Sequence, residues 1–299
     1  MTYHVPVLLE ESVEGLLLQP NGIYVDATFG GGGHSKHILQ KLGAKGHLYG
    51  FDQDEDVLPN LISENEHFTF VHHNFRFLKR FLRLHRVREV DGILADLGVS
   101  SHQLDSAERG FSYRFDAELD MRMNRKDGPT AADVLNTYTA EQLQSILSRY
   151  GELRNARTLS KALVDGRRQS AYKRIGDLLL VAQPHIRGHR ARYLSQLFQA
   201  LRIEVNDEMG ALRTFLEDGL ELLKPGGRMV IITYHSLEDR LVKHFFKTGN
   251  FEGELIKDFY GNIQRPFRIV TKKALLPSER EIQENPRARS AKLRIAEKI

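Results

Sequence analysis

The residues best placed to do chemistry are three aspartates, each ending an apolar run: Asp26 after Tyr24-Val25, Asp52 after Leu48-Tyr49-Gly50-Phe51, and Asp96 after Ile93-Leu94-Ala95. Asp26 is followed by Ala27-Thr28-Phe29, the four glycines Gly30 to Gly33, His34 and Ser35. Glycines in that place let a ligand approach the backbone at the start of a helix, which Ser35 can cap. Asp52 falls about 20 residues after the glycines, the spacing of a ribose-binding acid in dinucleotide folds. It equally suits a helix start, because Asp52-Gln53-Asp54-Glu55-Asp56 opens a segment where acids favour the positive end and Asp54 can cap. The dinucleotide fingerprint fits only if its third glycine is ignored. An edge with three acids also opposes a pyrophosphate. It suits a cofactor carrying positive charge, such as the sulfonium and ammonium of S-adenosylmethionine. Phe75, after the third apolar run, can stack on a heterocycle or belong to the core.

Elements must bring these residues together. From Gly22 to Asp96 short apolar runs alternate with amphipathic segments: Ile23 to Ala27, Ser35 to Leu42, His47 to Asp52, Asp54 to Ile62, Phe68 to His72, Phe75 to Leu84, Val90 to Asp96. Such alternation predicts right-handed βαβ units and a parallel sheet, with ligands at the carboxyl ends of its strands. After Val99 the alternation stops. A polar stretch is followed from Thr130 to about Arg202 by helical patterns with capping boxes, Thr139 with Gln142 among them. The parallel pattern resumes with a helix over Glu208 to Leu223, a turn Lys224-Pro225-Gly226-Gly227 and a buried strand Arg228 to Thr233. Arg268 to Thr271 and Lys292 to Ile295 read as an antiparallel edge. The fold class is therefore α/β, a Rossmann-like sheet domain formed by residues 1–110 and 205–299, interrupted by a small helical domain over 111–204.

The chain has 299 residues, 41% of them hydrophobic, a formal net charge of +4 and a pI near 9.1. No apolar run approaches membrane-spanning length and the first residues lack a signal-peptide pattern, which points to the cytoplasm. There is no cysteine. That excludes disulfides, thiolate metal sites and a cysteine nucleophile, and we assign no metal ligands. Basic residues cluster at Lys79 to Arg88, at Arg187, Arg190 and Arg192, and at Arg287 to Arg294, as suits a phosphate backbone.

Eight ordered motifs between His4 and Ala296 carry a resemblance. They include Asp26-Ala27-Thr28-Phe29-Gly30 with Gly32-Gly33-His34-Ser35, Asp96-Leu97-Gly98-Val99-Ser100-Ser101, Glu108-Arg109-Gly110-Phe111-Ser112, His235-Ser236-Leu237-Glu238-Asp239-Arg240 and Asn285-Pro286-Arg287-Ala288-Arg289-Ser290. Together they resemble the RsmH family, also called MraW, of bacterial enzymes that methylate the exocyclic N4 of a cytidine in 16S ribosomal RNA. The resemblance implies a class I methyltransferase sheet with an inserted helical domain. It implies S-adenosylmethionine as cofactor, held by Gly32, Gly33, His34, Asp52, Phe75, Asp96 and Gln103. It also implies 16S rRNA, in the small ribosomal subunit or its assembly precursor, as substrate. His102 stands where the family usually has proline, which leaves the backbone path between Ser101 and Gln103 open. Chemistry favours the amine as target, because methylating carbon 5 of a pyrimidine usually needs a cysteine nucleophile. Asp96 is the first choice to orient the amine or the cofactor, followed by His235 and Ser236. His235 also reads as a plain helix cap, and Asp96 as a cofactor ligand alone. The helical insert, with Arg187, Arg190 and Arg192, is expected to recognise RNA. A DNA amino-methyltransferase shares the chemistry; an NAD-dependent oxidoreductase accounts for the glycines and Asp52 but not for the acidic edge, and a noncatalytic RNA-binding module for the basic clusters alone. Homodimerisation stays open.

Overall fold

The apolar runs become strands because both faces of the sheet they form are covered, which favours continuous apolar sequence over alternation. The computed structural model describes residues 6–62, 65–261, 263 and 265–299; His4, where the resemblance begins, lies outside them. Among the described residues seven strands, β1 (Ile23–Asp26), β2 (His47–Asp52), β3 (Phe68–His72), β4 (Val90–Asp96), β5 (Leu223–Thr233), β6 (Phe267–Ile269) and β7 (Lys292–Lys298), form one sheet in the order β3-β2-β1-β4-β5-β7-β6. The first five in that order are parallel neighbours, and β7 runs antiparallel to both β5 and β6. This is the α/β, class I sheet that the resemblance implies. Tyr24, Val25, Leu48, Phe51, Ile93, Leu94, Val230 and Ile231 are fully buried in it. Asp26 is level with Gly50 and Leu94, and Asp96 with Ile232, so the strands' carboxyl ends share one edge.

The chain divides into two compact units, Met1–Gly98 with Gly210–Ile299, and Val99–Met209. These limits differ from the sequence-based boundaries at 110/111 and 204/205. Val99, Leu104 and Ala107 pack against the helical core. Asn206 donates to the Met121 carbonyl and accepts from the Met123 amide. Residues 99–110 and 205–209 therefore go with the helical unit. That unit holds the helices Ala131–Thr137, Ala140–Arg149, Ala156–Gln169, Ile175–Ala182 and Arg190–Asn206. Thr130 with Asp133, and Thr139 with Gln142, close reciprocal capping boxes. Leu135, Leu143, Leu147, Leu159, Leu163, Leu178, Leu194 and Leu201 fill its core. Buried Arg109 donates to the carbonyls of Arg122 and Met123, which pins the irregular stretch before the helices.

Three local expectations need correction. The helix after the glycines begins at Gly33, with Gly32 at its cap in left-handed geometry, so Ser35 lies in the first turn and caps nothing. The helix expected over Asp54 to Ile62 is a 3-10 segment, Glu55–Asn60, with Pro59 inside it; proline removes the amide that an α-helix needs there. The Lys224 to Gly227 turn lies within β5, as a register shift that pairs Val90 with Leu223 and Gly92 with Arg228. No helix among the described residues is long and apolar enough to cross a membrane.

Candidate functional site

In the sheet unit, the glycine turn is built by the acids around it. Gly32 has φ 73, and a Cβ there would stand 2.8 Å from the Phe29 ring, so both the conformation and the close approach require glycine. Asp26 is fully buried. It accepts from Thr28 N at 3.2 Å and from Ser35 Oγ at 2.7 Å, which ties the turn to its own helix. The sequence reading counted Asp26 on a ligand-facing edge; both of its oxygens are instead used by the scaffold.

Asp52 accepts from Gly30 N at 2.8 Å and from Asp54 N at 3.0 Å. Asp54 accepts from Asp56 N and caps the following segment, so the cap weighed for Asp52 falls to Asp54. Each Asp52 oxygen keeps a further acceptor position, since a carboxylate offers about four. Asp96 is fixed on both sides. Its amide donates to Thr28 Oγ1 at 2.7 Å, and Tyr234 Oη donates to its Oδ1 at 2.8 Å. Burial raises all three aspartates to about 6. Hydrogen bonds from Ser35 and Thr28, from Asp54 and Gly30, and the nearby His34 with the Tyr234 hydroxyl offset part of that rise at Asp26, Asp52 and Asp96 respectively. Among the described residues no lysine or arginine pairs with any of them.

His34 is buried, its basicity lowered by burial, and its Nε2 has no hydrogen-bond partner among the described residues. Phe75 is half-buried and meets Phe215 edge-on, ring centroids 5.1 Å apart, so part of its ring packs on the core and part stays exposed. His235 caps the helix Ser236–Thr248: its Nδ1 accepts from Glu238 N at 3.4 Å, while Glu238 Oε2 accepts from the amides of Tyr234 and His235. Glu238 is itself buried, and its Oε1 lies 3.2 Å from His235 Nε2. The cap is thus the role the geometry gives His235, and Ser236 is exposed at the first helical position.

Tyr234 and Thr28, the two side chains that hold Asp96, were not singled out from the sequence. The available signal was that Tyr234 follows β5 directly and that β5 neighbours the strand ending in Asp96.

In the helical unit, Gln103 is buried and closes a capping box with Ser100, so its amide oxygen is engaged by Ser100 N at 3.0 Å. Arg187, Arg190 and Arg192 are all exposed, at and just before the start of the helix Arg190–Asn206. The other basic clusters are partly neutralised in the sheet unit. Lys79 pairs with Glu221, and Asp239 binds both Arg294 and Lys292.

A positively charged cofactor such as S-adenosylmethionine suits an edge whose carboxylates pair with no lysine or arginine among the described residues.

Comparison with known proteins agrees. The model of the MraW methylase family matches residues 1–299. A protein of Bacteroides thetaiotaomicron named ribosomal RNA small subunit methyltransferase H is 57% identical over 299 residues, covering 100% of this chain and 98% of the relative. One of the same name from Flavobacterium johnsoniae is 55% identical over 300 residues, covering 100% and 99%. An rRNA methylase structure from Streptococcus thermophilus aligns over 100% of the chain and 99% of its own, at 14% identity and a TM-score of 0.43, too loosely to add to the argument.

Proposed function

The chain belongs to the MraW methylase family, and from that premise we propose that it transfers a methyl group from S-adenosylmethionine to the exocyclic N4 of a cytidine in 16S rRNA, within the small ribosomal subunit or its assembly precursor. The relatives' names supply the class of substrate. The observation that carries the reading is Asp96, a carboxylate at a strand end beside the glycine turn, held at one oxygen by Tyr234.

When bound, S-adenosylmethionine supplies a methyl group on a positively charged sulfur. Gly32, Gly33 and His34 would hold its methionine part, Asp52 its ribose hydroxyls and Phe75 its adenine; Gln103 belongs to this set by resemblance. The amine's lone pair is delocalised into the cytosine ring. Asp96, with Oδ1 fixed, presents Oδ2 to an N–H of the amine, which turns the nitrogen toward tetrahedral geometry and localises the pair. The same carboxylate, raised to about 6, accepts the proton the nitrogen must lose near neutral pH. His235 and Ser236 remain secondary candidates on the neighbouring loop. The helical unit would recognise RNA through Arg187, Arg190 and Arg192, and the place of work on this reading is the cytoplasm.

Mapping N4-methylcytidine in 16S rRNA from cells lacking the protein tests the assignment. One cytidine should lose its N4 methyl and regain it when purified protein and S-adenosylmethionine are added to small subunits or their precursors. An unchanged methylation map would overturn it.

A further inference from the structure

We propose that Phe259 and Tyr260, at the tip of a hairpin in the sheet unit, form a stacking platform for unpaired nucleotides of the RNA, an inference that rests on the rRNA methylation reading. Phe259 is 98% exposed and Tyr260 86%, the two most exposed of the large hydrophobic side chains among the described residues. Their exposure is built in. Asp258 Oδ1 accepts from Tyr260 N at 2.9 Å and Asp258 O from Gly261 N at 3.0 Å, Gly261 takes φ 84, and Lys257 bridges antiparallel to Ile263. That turn puts Phe259 and Tyr260 at its two corner positions, where turns ordinarily carry small or polar residues.

The two rings pack edge-to-face on each other, centroids 5.7 Å apart at 87°. At these exposures both rings keep open faces toward solvent. Leu255, Ile256 and Ile263 extend the exposed apolar surface. A core role is excluded by the exposure, and a patch of this kind marks an interaction site.

Charge selects the occupant. Residues 255–273 carry Lys257, Arg265, Arg268, Lys272 and Lys273 against the single acid Asp258, whose carboxylate serves the turn. Arg268 pairs with Glu297, while Lys257, Arg265, Lys272 and Lys273 are exposed. Aromatic faces among cations match a single strand, whose bases stack and whose phosphates pair. A second copy of this chain would bring the same excess of positive charge against itself.

The chain has no tryptophan, so Phe259→Trp adds a lone indole reporter at the tip. In the full-length protein, single-stranded oligocytidylate should quench that fluorescence saturably, and an RNA duplex of equal length should quench it far less. Phe259→Ala with Tyr260→Ala should weaken oligocytidylate binding by roughly tenfold or more, raise KM for rRNA in methyl transfer, and leave S-adenosylmethionine affinity unchanged. Absent quenching, or unaltered RNA affinity in the double variant, overturns the platform. So does loss of a dimer on sedimentation with RNA affinity retained, which would assign the tip to a second copy. If the wild-type protein methylates rRNA and the double variant matches it in KM, the platform alone fails. If the wild type methylates no rRNA, the functional reading fails with it.

Discussion

The helical unit and the strand-end edge of the sheet unit treat their acids in opposite ways. In the helical unit carboxylates are satisfied locally and held below their ordinary range: Asp116 by the Gly176 amide and Arg174, Asp133 by Thr130, and Asp120 by Arg122, whose hydrogen bonds outweigh the effect of burial. In the sheet unit Asp26, Asp52 and Asp96 are desolvated, have no basic partner among the described residues and sit near 6. A lowered carboxylate is already paid for by its neighbours. Asp26 commits both oxygens to the scaffold, whereas Asp52 and Asp96 are raised without a lysine or arginine partner among the described residues, the pattern that perturbed acids show at functional sites.

The sharpest way to break that contrast is Asp96→Asn. The fold should persist, because Tyr234 and Thr28 still have partners of the same shape. Single-turnover methyl transfer at saturating cofactor should fall roughly 100-fold or more if the carboxylate acts on the amine. A near-normal rate would leave Asp96 to cofactor binding alone. Asp52→Ala comes next. Loss of a charged acceptor should weaken S-adenosylmethionine binding by about 1–3 kcal/mol, and isothermal titration giving wild-type affinity would reduce Asp52 to a lock on Gly30.

A third test uses pH. A carboxylate whose folded value is raised contributes stability below its unfolded value near 3.8 and loses that contribution as pH rises through about 6. From these groups, the cofactor-free protein should melt higher at pH 5 than at pH 7. S-adenosylmethionine affinity should move the other way, falling as pH drops below about 6 and the carboxylates protonate. Calorimetric melts and titrations across that range should diverge; parallel curves would show that the three acids do not govern the site. The smallest expected effect concerns the helical unit. Replacing Arg187, Arg190 and Arg192 by alanine should leave cofactor affinity intact and lower RNA affinity several-fold at moderate salt. The logarithmic salt slope should flatten by about 0.7 per lost phosphate contact. An unchanged slope would remove this cluster from the RNA.

Much of this contrast was legible in the sequence because its signals are local. Thr139 and Gln142 sit at capping-box spacing, and the apolar runs that end in Asp52 and Asp96 announce strands with acids at their carboxyl ends. What stayed hidden depends on residues far apart in the chain. Asp26 and Asp96 look alike in sequence, yet Ser35 consumes the first, while Tyr234, 138 positions from Asp96, leaves the second half free. The role of His235 turned on Glu238, whose burial no periodicity announces. The limits of the helical unit differ from the sequence-based ones for the same reason: Leu104 packs against its core, and Asn206, ending the helix Arg190–Asn206, bonds back to Met121, contacts that no local pattern announces.

The placement of the helical unit between β4 and β5 also dictates an order of assembly. These strands are neighbours in the sheet, yet Val99–Met209 lies between them in the chain. The helical unit's capping boxes and short-range packing form quickly, whereas the β4–β5 ladder must close a loop that contains the whole insert. The edge on which Asp96 meets Tyr234 is therefore among the last parts of the molecule to exist. A nascent chain that has made its glycine turn and all three aspartates still lacks Tyr234, so the hydrogen bond that fixes Asp96 Oδ1 arrives late in synthesis, after the helical unit has had time to fold.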